Sequence, residues 1–170
     1  MRHFPGQRVL LTALLIGCTG CVIADNTSQD VASGIVLLPG QLQPDHSPDG
    51  NSLIIHGEDG LIVVDTGRGN QHTQELVERV AASSQPLVGV INTHWHLDHI
   101  GGNASFRKRW PDVPIYAHLS LDVALDGFHA DYRKQLETYL PTLSAGSPEQ
   151  KRYQAEMDLL LLDRQLAETN

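Results

Sequence analysis

Apolar and polar positions follow two different periods along this chain. Residues 34–38 (GIVLL), 52–56 (SLIIH), 61–64 (LIVV), 87–92 (LVGVIN) and 113–117 (VPIYA) are short apolar runs bounded by Gly, Pro, Asn or Asp, and they predict strands. Glu58, Asp59 and Gly60 join two of them as a hairpin turn, because Asp-Gly tolerates positive φ. The 87–92 run is almost wholly apolar, as a central strand requires. Leu76, Val77, Val80 and Ala81 recur at helical spacing with Glu75, Glu78 and Arg79 opposite, so 73–83 predicts a helix. Residues 102–109 predict a short helix whose basic end, Arg107, Lys108 and Arg109, faces solvent. Residues 119–140 predict helix in pieces, broken around Gly127 and ended by Pro141. Ser147, Pro148 and Gln150 form a helix start, with Ser as cap, Pro in the first turn and Gln completing a capping box. The helix that follows runs to about residue 168 with Tyr153, Met157, Leu160, Leu161 and Leu162 on one stripe. Strands mixed with helices imply an α/β (α+β) domain, one mixed β-sheet flanked by helices.

The amino terminus has another pattern. Arg2 and Arg8 precede nine uncharged residues, 9–17 (VLLTALLIG). A bilayer span needs about twenty apolar residues, so this run is too short to cross one. It fits a secretory signal peptide over 1–17, followed by a polar linker over 18–30 and a domain over 31–170. Leu15-Ile16-Gly17-Cys18 resembles a bacterial lipobox, in which Cys18 becomes the lipidated first residue. Ordinary cleavage after Ala24 is the rival. Either way the expectation is an exported protein, periplasmic or anchored to a membrane through Cys18.

Composition narrows the partners. With 170 residues the chain is long enough to bury a real core. Twelve Lys and Arg against twenty Asp and Glu give a net charge of −8, which disfavours nucleic acid and leaves a small-molecule substrate as the expectation. The only cysteines are Cys18 and Cys21, at the end of the leader. Disulfides therefore do not hold the domain together, and any metal site must use His and carboxylate ligands.

Such ligands are concentrated at one place. Thr93-His94-Trp95-His96-Leu97-Asp98-His99 holds four metal-binding side chains within six positions, directly after the central strand. Imidazole and carboxylate suit Zn²⁺, and also Fe or Mn. Carboxyl ends of strands are where open sheets place their ligands, and Gly101 and Gly102 permit close backbone approach beside the group.

HxHxDH followed by Ile100-Gly101-Gly102-Asn103 resembles the signature of the metallo-β-lactamase superfamily. Residues 51–55 and 61–67, ending Asp65-Thr66-Gly67, resemble that family's early hairpin, and 114–118 resembles the strand after its first metal loop. The resemblance covers about residues 31–120 and implies the amino-terminal half of an αββα sandwich. It implies that His94 and His96 bind one metal, and Asp98 and His99 a second. It implies hydrolysis of an ester, thioester, lactone or amide by hydroxide that the metals activate, with Asp98 orienting that nucleophile and handling its proton. It also implies that Asp65 holds a ligand histidine in one tautomer, the alternative from the residue's own context being a turn-forming Asp before Thr-Gly.

One departure qualifies this picture. Catalytic zinc takes three protein ligands, whereas this motif supplies two per metal. The family draws the rest, a His, a bridging Asp and a last His, from its second half. After His99 only His118 and His129 remain, and both read as surface or packing residues. The expectation is a domain incomplete at its carboxyl end, a fragment with an exposed sheet face, weakly active or inactive alone. The alternative is a non-catalytic metal-binding or interaction module, completed by a second chain or by self-association.

Overall fold

The computed structural model describes residues 28–42, 46–69 and 71–167. The expected signal peptide and Cys18 lie outside the described residues. Six strands form one sheet in chain order: β1 (Gln29–Ala32), β2 (Ile35–Leu38), β3 (Ser52–His56), β4 (Leu61–Val64), β5 (Leu87–Ile91) and β6 (Ile115–Tyr116). The first four form an antiparallel meander, and β4–β5–β6 are parallel. Parallel neighbours require crossovers, supplied by α1 (Gln71–Ala82) and by α2 (Leu97–Ile100) with α3 (Asn103–Arg109). The sheet is therefore mixed and flanked by helices, an α/β architecture as its patterning requires.

Side chains alternate across strands, so paired positions share a face. Val36, Ile54, Val63, Val90 and Ile115 form one row across β2 to β6. That face packs with Leu76 and Val80 of α1 and Phe106 of α3 into the main core. Val63, Leu76 and Val90 are wholly buried, each contributing roughly 1.5–3 kcal/mol of apolar transfer free energy. The opposite row, Leu37, Leu53, Val64, Ile91 and Tyr116, is equally apolar but only half covered, with Tyr116 59% exposed.

Several expectations need correction. The polar linker ends earlier than its composition suggests, because Gln29 and Asp30 already pair with Leu37 and Val36. Edge pairing needs only backbone groups, and all four β1 residues stay exposed. Residues 119–140 are not broken at Gly127. Helix α4 (Ser120–Ala124) runs through a π turn (Leu125–His129) into α5 (Ala130–Tyr139), so one wider turn absorbs the irregularity. Helix α6 (Pro148–Ala167) starts as expected, with Gln150 N donating to Ser147 Oγ at 3.1 Å. Gln150 Oε1 reaches back one residue further than a capping box, accepting from Gly146 N at 2.7 Å. On α6, Met157 and Leu160 are buried against Leu97 and Leu136, but Leu161 is exposed and Leu162 lies outside the described side chains. Among the described residues no helix is long and apolar enough to cross a membrane.

Candidate metal centre

Two strand ends build the site. Because β4 and β5 are parallel neighbours, their carboxyl ends lie side by side. The Asp65-Thr66-Gly67 turn leaves one and the Thr93–His99 segment leaves the other. Asp65 N donates to Ile91 O at 2.8 Å, which joins the two turns. Asp65 adopts φ of 58°, a left-handed conformation that Asp tolerates better than most side chains. That turn aims its carboxylate, 5% exposed, at the histidine segment.

The carboxylate takes three donors. Thr93 N donates to Oδ1 at 2.8 Å, Thr93 Oγ1 to Oδ2 at 2.7 Å, and His99 Nδ1 to Oδ2 at 2.7 Å. A proton fixed on Nδ1 leaves the His99 Nε2 lone pair free. Thr93 Oγ1, having given its proton to Asp65, accepts from His94 Nδ1 at 3.0 Å. His94 therefore also presents an unprotonated Nε2. Burial first, and then the neighbouring His99 and His96, hold the His94 imidazole below its ordinary value, which favours the neutral ligand form.

These two nitrogens face the other two candidate ligands. His94 Nε2 lies 3.0 Å from His96 Nδ1, and His99 Nε2 lies 3.3 Å from Asp98 Oδ2. Ligands about 2.0–2.1 Å from a tetrahedral ion stand about 3.3 Å apart, so each pair matches one edge of such a site. The His94 and His99 ring centroids are 4.0 Å apart, which places the pairs side by side. The donor set fits a divalent ion, in pairs. Among the described residues no group of three or more His, Cys, Asp or Glu is placed to hold one ion.

Backbone contacts fix the segment. Thr66 N donates to His99 O at 2.8 Å, and Asn92 and Asn103 bond one another beneath it, Asn103 Nδ2 to Asn92 Oδ1 at 2.8 Å. At Gly102 a Cβ would meet Thr66 O at 2.2 Å, so the glycine permits the expected close approach. Gly50 lies against the His99 ring, where a Cβ would stand 2.8 Å from Nε2.

Neither of the last two histidines bonds a candidate ligand, although His129 lines the same cleft as His96 and Asp98. His118 is exposed and bonds Ser120 locally. His129 is buried on the π turn, and its Nε2 donates to Trp95 O at 3.1 Å. Burial holds its imidazole below the ordinary value. Sequence reasoning missed Arg68 and Glu156. Arg68 Nη2 stands 3.8 Å from Asp98 Oδ1, and Arg68 Nη1 donates to Glu156 Oε1 at 3.1 Å. Their contact joins positions 88 apart in the chain, and neither residue belongs to a recognisable motif. A 180 Å³ cleft opens beside the ligands, with Trp95, His96, Asp98 and Phe128 on its wall.

Residues 48–164 match the metallo-beta-lactamase superfamily. A hydroxyacylglutathione hydrolase of Xylella fastidiosa (strain 9a5c) is 30% identical over 80 residues, 47% of this chain and 26% of the relative. A type 2 metallo-beta-lactamase of Bacillus sp. (strain 170) is 40% identical over 60 residues, 35% of this chain and 23% of the relative. A metallo-beta-lactamase structure from Pontibacter korlensis shares the fold with a TM-score of 0.50 at 23% identity, over 59% of this chain and 47% of that one. The DIM-1 metallo-beta-lactamase exposed to ceftazidime gives 0.50 at 22% identity, over 59% and 46%. The chain thus spans about a quarter of the length of these curated relatives and just under half of the solved structures.

Proposed function

We propose, for a chain that belongs to the metallo-beta-lactamase superfamily, the role of a metal-dependent hydrolase with a two-ion zinc site. Among its relatives are hydrolases named for acylglutathione and for β-lactam substrates. The bond cleaved is an ester, thioester, lactone or amide of a small molecule.

One observation carries this reading. Asp65 and Thr93 fix the protons of His99 and His94 on Nδ1, so both Nε2 atoms are offered as ligands toward partners 3.3 and 3.0 Å away. His94 Nε2 and His96 Nδ1 would hold one ion, and Asp98 Oδ2 and His99 Nε2 the other. When bound, divalent ions supply a nucleophile from water near neutral pH and polarise the scissile carbonyl. Asp98 would orient that nucleophile and take up its proton. The Trp95 and Phe128 rings, 4.7 Å apart, give the adjacent cleft an apolar wall for the substrate.

Two ligands per ion fall short of the usual three, so the chain by itself binds metal weakly and turns over little. The remaining ligands come from further polypeptide, a second chain or a second copy, packed on the half-covered row from Leu37 to Tyr116. Export through residues 1–17, with Cys18 as lipid anchor, completes the proposal. Its support is the basic start and short apolar run of the sequence.

Cobalt titration of the purified 170-residue protein tests the centre. The expected result is weak uptake that His94→Ala and His99→Ala each reduce by about half. Uptake indifferent to both variants would overturn the assignment. Two tightly held ions with rapid hydrolysis of a generic ester would overturn the incomplete site.

A further inference from the structure

Glu156 is a carboxylate on α6 that is only 8% exposed. Ser47 Oγ donates to its Oε1 and Tyr132 OH to its Oε2. Arg68 Nη1 donates to Oε1 at 3.1 Å. The same guanidinium presents Nη2 to Asp98 Oδ1 at 3.8 Å, beyond hydrogen-bond reach. Arg68 is anchored elsewhere too, with Nε donating to Pro48 O at 2.8 Å and its backbone N to Asp49 Oδ1 at 2.9 Å. One cation thus pairs with two carboxylates but hydrogen-bonds only the one that is not a metal-ligand candidate.

We propose that Glu156 is a positioning residue whose carboxylate holds Arg68 off Asp98, leaving Asp98 free to ligate a divalent cation. The proposal rests on the assignment of His94, His96, Asp98 and His99 as ligands.

The physical reason is competition for the guanidinium fork. Arg matches a carboxylate through two parallel N–H donors, and its side chain here is 15% exposed, largely withdrawn from water. A withdrawn charge that loses its partner is strongly destabilised and takes the nearest alternative. That alternative is Asp98, which Nη2 already faces. Closing the remaining gap would seat the guanidinium on Asp98 Oδ1 and, in the two-bond form, on Oδ2 as well, the oxygen assigned to the ion, and would draw the positive charge nearer to that site. Glu156 removes the drive for that closure. Its own place is secured by the Ser47 and Tyr132 hydroxyls. Burial first, and then the bond to Glu156, push the Tyr132 phenol well above its ordinary value, so it stays a donor.

Cobalt affinity of the purified 170-residue protein, read from visible absorption and chelator competition, tests this. Glu156→Gln keeps the shape and removes the charge. It is expected to weaken cobalt binding by about tenfold, the range for outer partners of a ligand. Adding Arg68→Met removes the competitor, so the double variant should bind within about threefold of Arg68→Met alone. Ser47→Ala leaves the Glu156 charge in place and should bind as the parent does. An equal loss on Glu156→Gln in both backgrounds, or no loss in either, overturns the proposal. Should Glu156→Gln fail to fold, Arg68→Met alone decides. Binding equal to or tighter than the parent's supports the restraint, and a tenfold loss overturns it. A parent that takes up no cobalt overturns the ligand assignment itself, and this proposal with it.

Discussion

His99 Nδ1 donates to Asp65 Oδ2 at 2.7 Å, across 34 residues of chain. This contact decides which nitrogen of His99 is available, and through Thr93 the same carboxylate decides it for His94. Asp65→Asn should keep the turn and weaken the control of both tautomers. We expect a 10–100-fold loss in cobalt affinity, measured by chelator competition. An unchanged affinity would reduce Asp65 to a turn residue.

Thr93→Val isolates one arm of this arrangement. It removes the hydroxyl that accepts from His94 and donates to Asp65, while the Thr93 N–H bond to Asp65 is retained. The expected effect falls on the His94–His96 ion and spares the Asp98–His99 ion. A biphasic cobalt titration that loses only one phase would show it. Equal loss of both phases would refute the division into pairs.

Gly50→Ala tests the close approach of the 46–50 loop. A Cβ there would lie 2.7 Å from His99 Cε1 and 2.8 Å from Asp98 O. Relief requires His99 to move, so metal affinity should fall. Overpacking of this kind costs about 1–3 kcal/mol of stability, readable by urea unfolding. An alanine variant with parental stability and affinity would show that the loop shifts freely.

Stability should decline in mild acid. Burial holds His72 and His129 below the ordinary imidazole value of 6.5. Between their folded values and 6.5 the unfolded chain binds more protons than the folded one. Stability is therefore full above about 6.5 and falls as the pH drops through that window. Urea midpoints at pH 7.5 and 5.5 check the sign. His72→Gln, which keeps a partner for Ser52, should flatten part of the slope.

Much of the fold was legible because its signals are local. Strand runs 52–56 and 61–64 form as patterned, and the Ser147 cap opens α6 at Pro148. Where the pattern misled, a tertiary reason is visible. Strand β1 begins with Gln29 and Asp30, inside the polar stretch, and it forms because β2 offers an open edge. The short helix α2 lies within the ligand motif and was invisible to periodicity over so few residues. Leu161 belongs to an apolar run, yet α6 turns it away from Leu97 and Leu136.

The same division holds at the site. Residue type and spacing suffice to single out His94, His96, Asp98 and His99 as candidate ligands, because four such side chains lie within six positions, and the structure sets them in two pairs. They also suffice to set the apolar rows of the sheet. Which imidazole nitrogen is free depends on Asp65, brought beside Thr93 and His99 only by the parallel pairing of β4 and β5. Which carboxylate holds Arg68 depends on α6 folding back over the loop. Proton placement and ion pairing act over a few ångströms, and the residues that control them here are tens of positions apart.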